Sequence, residues 1–284
     1  MIRVSTVRSL GVGFVALIGA GSAVVACGGE SAAPTTSGRS TSTTAPARSS
    51  IPRWTVQVEA RHPHDPTSFT QGLTFTADGR LFESRGLYGQ SSVAELSSTD
   101  GSVIAERDLD PTLFGEGLAA GPSGLVQLTW KEGEVLRWST DLVASPGWQI
   151  DGEGWGVAWE ESSKRFVTSD GSAVLTFRNP DTFAATDRVE VTRAGAPVRD
   201  LNELEVVGDR VWANVWHSDE ILRIDPATGM VDGVIDAAAL WTNPERSSEM
   251  VLNGIAHAPG DPDDRVWLTG KLWPELFEVR MVPE

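Results

Sequence analysis

Five short segments of this chain repeat one pattern of a polar or indole side chain, a turn-forming step and an aliphatic residue. They are Gln71-Gly72-Leu73, Glu116-Gly117-Leu118, Trp155-Gly156-Val157, Asn202-Glu203-Leu204 and Asn253-Gly254-Ile255. They return at intervals of roughly 45 residues, the period of strand-rich propeller blades. Equivalent positions of a propeller face one central channel, so Gln71, Glu116, Trp155, Asn202 and Asn253 are expected at one mouth. One carboxylate among amides and an indole can move protons for a bound substrate. With amide oxygens it can instead hold a hard cation.

The intervening sequence supplies the strands such a ring needs. Apolar and polar residues alternate in Val56-Gln57-Val58-Glu59-Ala60, Val93-Ala94-Glu95-Leu96, Val103-Ile104-Ala105-Glu106 and Val211-Trp212-Ala213-Asn214-Val215-Trp216. Turn signals separate them, among them Asp78-Gly79, Asp100-Gly101, Asp170-Gly171 and Asp225-Pro226-Ala227-Thr228-Gly229. One blade reads as strands starting at Leu204, Arg210, Ile221 and Val231. The same count over the chain predicts an all-β, five-bladed β-propeller and leaves one N-terminal strand over, near 54–60. That strand is expected beside Leu276-Phe277-Glu278-Val279-Arg280, closing the last blade and removing open sheet edges. An irregular β-sandwich is the alternative. Helix is expected only as short pieces, around Pro111–Leu113 and Ala237–Leu240.

Composition narrows the function. A formal net charge of −16 over 284 residues lacks the basic stripe of a nucleic-acid binder. Lysine occurs only at Lys131, Lys164 and Lys271, so Lys271 within Thr269-Gly270-Lys271-Leu272-Trp273 draws attention. Residues 1–26 read as a signal peptide, with Arg3 and Arg8 before an apolar run and Ala23-Val24-Val25-Ala26 before Cys27, the single cysteine. That placement resembles the lipobox of bacterial lipoproteins, with Val24 where leucine is usual. Plain secretion is the alternative. Residues 27–52 are a lipidated cysteine and a Ser/Thr/Pro/Ala-rich tether without bulky apolar side chains, which leaves little to offset ordering entropy. The folded domain is assigned to 53–284. An extracytoplasmic, lipid-anchored monomer is expected, touching the membrane through its anchor alone.

The ordered motifs His64-Asp65-Pro66, Phe69-Thr70-Gln71-Gly72-Leu73, Gly115-Glu116-Gly117-Leu118, Thr129-Trp130-Lys131, Gly154-Trp155-Gly156, Leu201-Asn202-Glu203-Leu204, Trp212-Ala213-Asn214-Val215-Trp216, Leu252-Asn253-Gly254-Ile255 and Thr269-Gly270-Lys271-Leu272-Trp273 cover nearly the whole domain. Their set resembles the plant-type glutaminyl cyclases, or glutamine cyclotransferases, of plants and bacteria. The resemblance implies a five-bladed propeller that cyclises N-terminal glutamine of peptides and proteins to pyroglutamate, releasing ammonia. It implies Glu116 as acid/base, Asn202 and Lys271 on the reacting amide, and Phe69, Gln71, Phe114, Trp130, Trp155 and Trp216 around the substrate. The repeat position adds Asn253 to the substrate-binding set.

The chemistry agrees with these residue types. Amine and carboxamide already belong to one molecule, so the enzyme mainly fixes a folded conformer. A carboxylate lifted toward neutrality by aromatic walls can carry the amine proton to the leaving nitrogen. An amide and an ammonium can hold the developing oxyanion. No metal ligand set is assigned and no cofactor is required, although a structural cation in the channel stays open. Other readings stand beside these. Glu116 can be a turn carboxylate, Asn202 a turn cap, Lys271 a rim charge and the tryptophans blade packing, as is expected for Trp138, Trp148, Trp159 and Trp267. A lactonase-like metal-dependent propeller hydrolase, with Glu116, Asn202 and Asn253 around a dication, and a non-catalytic binding propeller are the competing functions. His62-Pro63-His64-Asp65 holds metal-ligand residue types but reads as a structural loop. Arg85, Val157 and His257 depart from the family pattern, and Arg85 is expected to alter the rim of the site.

Overall fold

A computed structural model describes residues 50–284. The expected signal peptide, Cys27 and nearly all of the expected tether lie outside the described residues. The chain builds four-stranded antiparallel blades whose inner strands are buried; the outer strands of the first three are exposed, while that of the fourth is largely buried.

An N-terminal strand, β1 (Arg53–Pro63), precedes the first blade, which is β2 (Thr70–Phe75), β3 (Leu81–Arg85), β4 (Ser92–Leu96) and β5 (Val103–Asp108). The second comprises β6 (Gly115–Gly121), β7 (Gly124–Thr129), β8 (Glu134–Trp138) and β9 (Ala144–Gln149). The third comprises β10 (Val157–Glu160), β11 (Arg165–Thr168), β12 (Val174–Arg178) and β13 (Ala185–Glu190). A short hairpin, β14 (Thr192–Arg193) with β15 (Ala196–Pro197), leads to the fourth: β16 (Leu201–Val207), β17 (Arg210–Val215), β18 (Glu220–Ile224) and β19 (Val231–Asp236). The fifth comprises β20 (Leu252–Ala256), β21 (Arg265–Gly270) and β22 (Glu275–Pro283).

The fifth blade takes its outer strand from the N-terminus, as the sequence predicts. β1 runs antiparallel to β22 from Trp54↔Pro283 to Pro63↔Glu275. The first residues of β1 also pair in parallel with β19, Arg53 opposite Val234 and Thr55 opposite Asp236. The fourth and fifth blades thereby share one eight-stranded sheet, and the closing strand is hydrogen-bonded on both sides.

The core is divided among the blade junctions. Phe82 and Val93 pack on Leu118 and Leu125 between blades one and two. Val126 and Leu128 pack on Val157 and Phe166 between two and three. Leu175 and Phe177 meet Leu204 and Val211 between three and four. Trp212 and Ile221 meet Ile255 and Phe277 between four and five. Leu276 and Trp267 meet Leu73 and Leu81 between five and one. A sealed apolar layer at each of the five junctions is what a closed ring of five blades requires, since each blade buries both faces only against its neighbours. Trp138 joins the first of these layers, Trp148 stacks on Phe183 and Trp159 meets Phe166 edge-on.

One helix expectation is corrected. Ala238–Leu240 is a single 3-10 turn, but Pro111–Leu113 is not helical. There the Asp110 carboxylate accepts from both Thr112 N (2.9 Å) and Thr112 Oγ1 (2.6 Å), giving the backbone a side-chain turn in place of a helical one.

Candidate active site

The repeated motifs begin the inner strands, and most copies coincide with a break in strand register. The pairing slips between Thr70 and Gly72, between Gly115 and Leu118, between Leu201 and Leu204, and between Leu252 and Ile255. A bulge bends the strand and re-aims the side chain within it, so Gln71, Glu116, Asn202 and Asn253 leave the alternation of their strands. The glycine that follows has a steric cause. A Cβ on Gly156 would lie 2.1 Å from the carbonyl oxygen of Asn202 on the next inner strand. Asn202 is followed by Glu203 instead, whose carboxylate spans the channel and accepts from Ile255 N at 2.9 Å and Leu73 N at 3.3 Å. Burial pushes the Glu203 carboxyl up, and the nearby Glu205 adds to that.

A cavity of about 260 Å³ opens where these strands begin. Its wall contains Phe69, Gln71, Phe114, Glu116, Trp130, Trp155, Asn202, Trp216 and Lys271, every predicted site residue of the domain except Asn253. Asn253 lies beneath the wall. Its Nδ2 donates to Thr70 O (2.9 Å) and Gln71 Oε1 (3.4 Å), so its amide holds Gln71. Cys27 falls outside the described residues.

Glu116 is 6% exposed, and Gln71 Nε2 donates to its Oε1 at 3.1 Å. Burial pushes its carboxyl well above the usual range. The Lys271 ammonium pulls the other way, while Glu153 and Glu132 add to the rise. Lys271 follows β21. Its backbone N donates to Val251 O (2.9 Å), and its Nζ lies 4.8 Å from the Phe69 ring centroid. Burial lowers its ammonium from the ordinary value, partly offset by Glu116 and Glu249. Among the described residues Asn202 Oδ1 and Asn253 Oδ1 are both buried without a partner, and of the two only Asn202 lines the cavity, where its amide can meet a ligand.

The aromatic wall is an arc. Phe69 meets Phe114 edge-on at 6.3 Å, Phe114 meets Trp130 at 5.5 Å, and Trp155 meets Trp216 at 5.8 Å. Trp216 is 40% exposed and forms the outer lip. Leu87 and Glu249 also line the cavity, and Tyr88 packs on Phe114 while donating to Glu132 Oε1 at 2.7 Å. Sequence reasoning missed these residues and Glu153. Glu153 carries a signal, a carboxylate inside the glycine-spaced run Gly152-Glu153-Gly154-Trp155-Gly156; Glu249 carries none.

Arg85 corrects an expectation. It is not on the rim: its side chain is buried, donating from Nε to Glu83 Oε2 at 2.8 Å and from Nη1 to Glu106 Oε1 at 3.1 Å. Glu83 Oε1 also accepts from Ser68 Oγ and Thr70 Oγ1, each at 2.6 Å, and pairs with His64 Nε2 at 3.0 Å. His64 Nδ1 lies 2.6 Å from Trp273 O. Both ring nitrogens are therefore occupied, and His64 acts as a structural clamp between the segments carrying Phe69 and Lys271. Burial alone would lower its pKa, but the Glu83 charge and hydrogen bond outweigh it and raise it. His257 lies at the opposite end of the channel, in a hollow shared with Thr74, Glu161 and Glu205.

The family model described as glutamine cyclotransferase matches residues 31–281. A glutaminyl-peptide cyclotransferase of Arabidopsis thaliana is 39% identical over 232 residues, which is 80% of this chain and 71% of the relative. The crystal structure of Myxococcus xanthus glutaminyl cyclase is 41% identical, with a TM-score of 0.74, and the match covers 83% of this chain and all of that one.

Proposed function

The chain belongs to the glutamine cyclotransferase family and is a glutaminyl-peptide cyclotransferase; from that premise, we propose how its residues divide the reaction. The α-amine of an N-terminal glutamine attacks the γ-carboxamide carbon of the same residue. A C–N bond forms, the carboxamide C–N bond breaks, and ammonia leaves with pyroglutamate behind. Glu116, as carboxylate, takes a proton from the attacking amine and returns it to the leaving nitrogen. One buried group can do both because its raised pKa brings acid and base forms closer in energy. Lys271 Nζ and the Asn202 amide stabilise negative charge on the γ-oxygen of the tetrahedral intermediate. Gln71 holds the Glu116 carboxylate in place, and Phe69, Phe114, Trp130, Trp155 and Trp216 enclose the folded side chain.

The observation that carries this reading is a buried carboxylate whose partner at hydrogen-bond range is a glutamine, in one aromatic cavity with a buried lysine. No metal or cofactor is needed, because Lys271 supplies the positive charge that a dication would bring. A structural channel cation would be separate from the reaction. The test is incubation of the full chain with a Gln-initiated peptide, with and without chelator, following ammonia release and loss of one ammonia in mass. Chelator-resistant turnover that disappears in Glu116→Gln is the expected result. Turnover abolished by chelator and restored by a divalent metal would overturn the metal-free assignment.

The protein is proposed to act as a monomer on the outer face of a bacterial membrane, with residues 1–26 removed, Cys27 lipidated and a tether reaching to residue 52. This rests on the leader and cysteine pattern of the sequence. Cys27→Ala should move the protein from the membrane to the soluble fraction; unchanged membrane retention would sink the anchor.

A further inference from the structure

The arc of rings around the cavity is edge-to-face from Phe69 through Phe114 to Trp130, and again from Trp155 to Trp216. Between Trp130 and Trp155 the link is a carboxylate. Glu153 Oε2 accepts from Trp130 Nε1 at 2.8 Å and from Trp155 Nε1 at 2.9 Å. The two tryptophans come from different blades, one following β7 and the other preceding β10, so nothing in either blade's own ladder fixes their mutual angle. We propose that Glu153 is a positioning residue for the reaction, tying the Trp130 and Trp155 indoles into one wall that fits the glutamine side chain.

The surrounding chain is arranged for that role. Gly154 N donates to Trp130 O at 2.9 Å, which pins the Glu153 loop to the tryptophan it serves. A Cβ on Gly154 would stand 2.7 Å from Thr129 O, so a side chain here would push the loop off. Gly171 leaves room on the other side, where a Cβ would stand 2.7 Å from the Trp155 ring. Lys131 partly balances the charge. Its Nζ is 3.7 Å from the Trp130 ring centroid and 3.9 Å from Glu153 Oε1. Indole N–H is a donor only, so a single acceptor oxygen shared by two indoles fixes both rings at once. Both bonds are charge-assisted, which makes them the stronger kind, reduced here by the partial exposure of Glu153. The effect on chemistry is indirect. Rings held upright keep water from Glu116, and they present a rigid face to a substrate bound before any bond is made. Loss of Glu153 should therefore appear mainly as weaker binding.

The inference rests on the reading that this cavity binds the N-terminal glutamine. The test uses the full chain and a Gln-initiated peptide, comparing Glu153→Ala, Glu153→Gln, the Trp130→Phe/Trp155→Phe pair, and that pair combined with Glu153→Ala. Glu153→Ala should raise KM about tenfold while kcat changes less than about threefold, and Glu153→Gln, which keeps an acceptor oxygen, should recover part of the loss. The phenylalanine pair keeps an aromatic ring at each position but removes both donors and some of the wall. It should raise KM at least as much, and adding Glu153→Ala to it should change KM less than about twofold. A folded Glu153→Ala enzyme with wild-type KM, or a Glu153 effect undiminished in the phenylalanine background, overturns the proposal. If Glu153→Ala does not fold, Glu153→Gln in the two backgrounds makes the same comparison. Full activity in both Glu116→Gln and Trp130→Ala would instead show that the substrate binds elsewhere, and would sink the cavity reading together with the proposal.

Discussion

Replacing Glu116 with glutamine removes one ionisable group and almost nothing else. The side chain keeps its length, and its amide oxygen can still accept from Gln71 Nε2, now 3.1 Å from Glu116 Oε1. Among the described residues no backbone group depends on that carboxylate for a hydrogen bond, so the ring should close as before. What disappears is the proposed proton carrier between the attacking amine and the departing nitrogen. General acid–base catalysis of this kind contributes about 10²–10⁴ in rate, equivalent to roughly 3–5 kcal/mol of barrier. The enclosing rings and the Lys271 and Asn202 donors remain, so some acceleration over solution should persist. The expected result is therefore a kcat reduced about 10²–10⁴-fold with KM nearly unchanged, because the lost group acts in the transition state. Initial rates of ammonia release at saturating Gln-initiated peptide measure this, with thermal unfolding as the check on fold. A folded Glu116→Gln enzyme that keeps kcat within about threefold of wild type would refute the assignment of the proton shuttle.

Lys271→Met should lower kcat by about 10²–10³-fold, the usual cost of losing one oxyanion donor. It should also move the acid limb of kcat/KM to higher pH. Lys271 draws the Glu116 pKa down, so without it Glu116 keeps its proton further up the scale; a limb moving toward acid would contradict the assignment. His64→Gln removes one charge of a buried cluster and leaves Glu83 with Arg85 as its charged partner beside the Ser68 and Thr70 hydroxyls, a cost of at most about 3–5 kcal/mol. For a domain of this size the Tm should fall by at most roughly 6–20 °C. The sign with pH follows from the raised His64 pKa: its stabilisation is complete below the ordinary imidazole value and is lost as pH rises through the folded value. Glu83 is held well below the carboxylate range, so its contribution is lost only on acidification, and wild-type Tm should decline on the alkaline side more steeply than that of His64→Gln. Gly156→Ala would place its Cβ 2.1 Å from Asn202 O, forcing one inner strand from the next. The expected loss is about 1–3 kcal/mol of stability and more than about tenfold in kcat, since Asn202 moves with the strand; unchanged kcat would separate Asn202 from the chemistry.

The fold was legible because one steric requirement recurs. At Gly72, Gly117 and Gly156 a Cβ would stand 2.1–2.6 Å from the backbone of the next inner strand or the residues that lead into it, and Gly254 adopts a φ of 120°, so glycine returns at a fixed period and announces the ring before any pairing is known. Arg85 was misread although its strand contains the answer. Residues two apart share a face, and Glu83 stands two residues before it on β3, already marking an inward ion pair. Glu153 and Asn253 were harder for a different reason. The two indole donors on Glu153 come from separate blades, and whether an asparagine faces ligand or protein depends on what lies across the channel. Asn202 and Asn253 occupy equivalent repeat positions. Both leave Oδ1 buried without a partner among the described residues, yet Asn253 Nδ2 reaches back to Thr70 O and Gln71 Oε1 while Asn202 lines the cavity. A ring of five similar strand starts offers five similar positions, but the reaction needs a single proton carrier. The remaining positions are free to hold that carrier, donate to an oxyanion, or wall off water. Sequence periodicity identifies the positions; the division of labour among them is written in contacts that cross from blade to blade, which no single repeat contains.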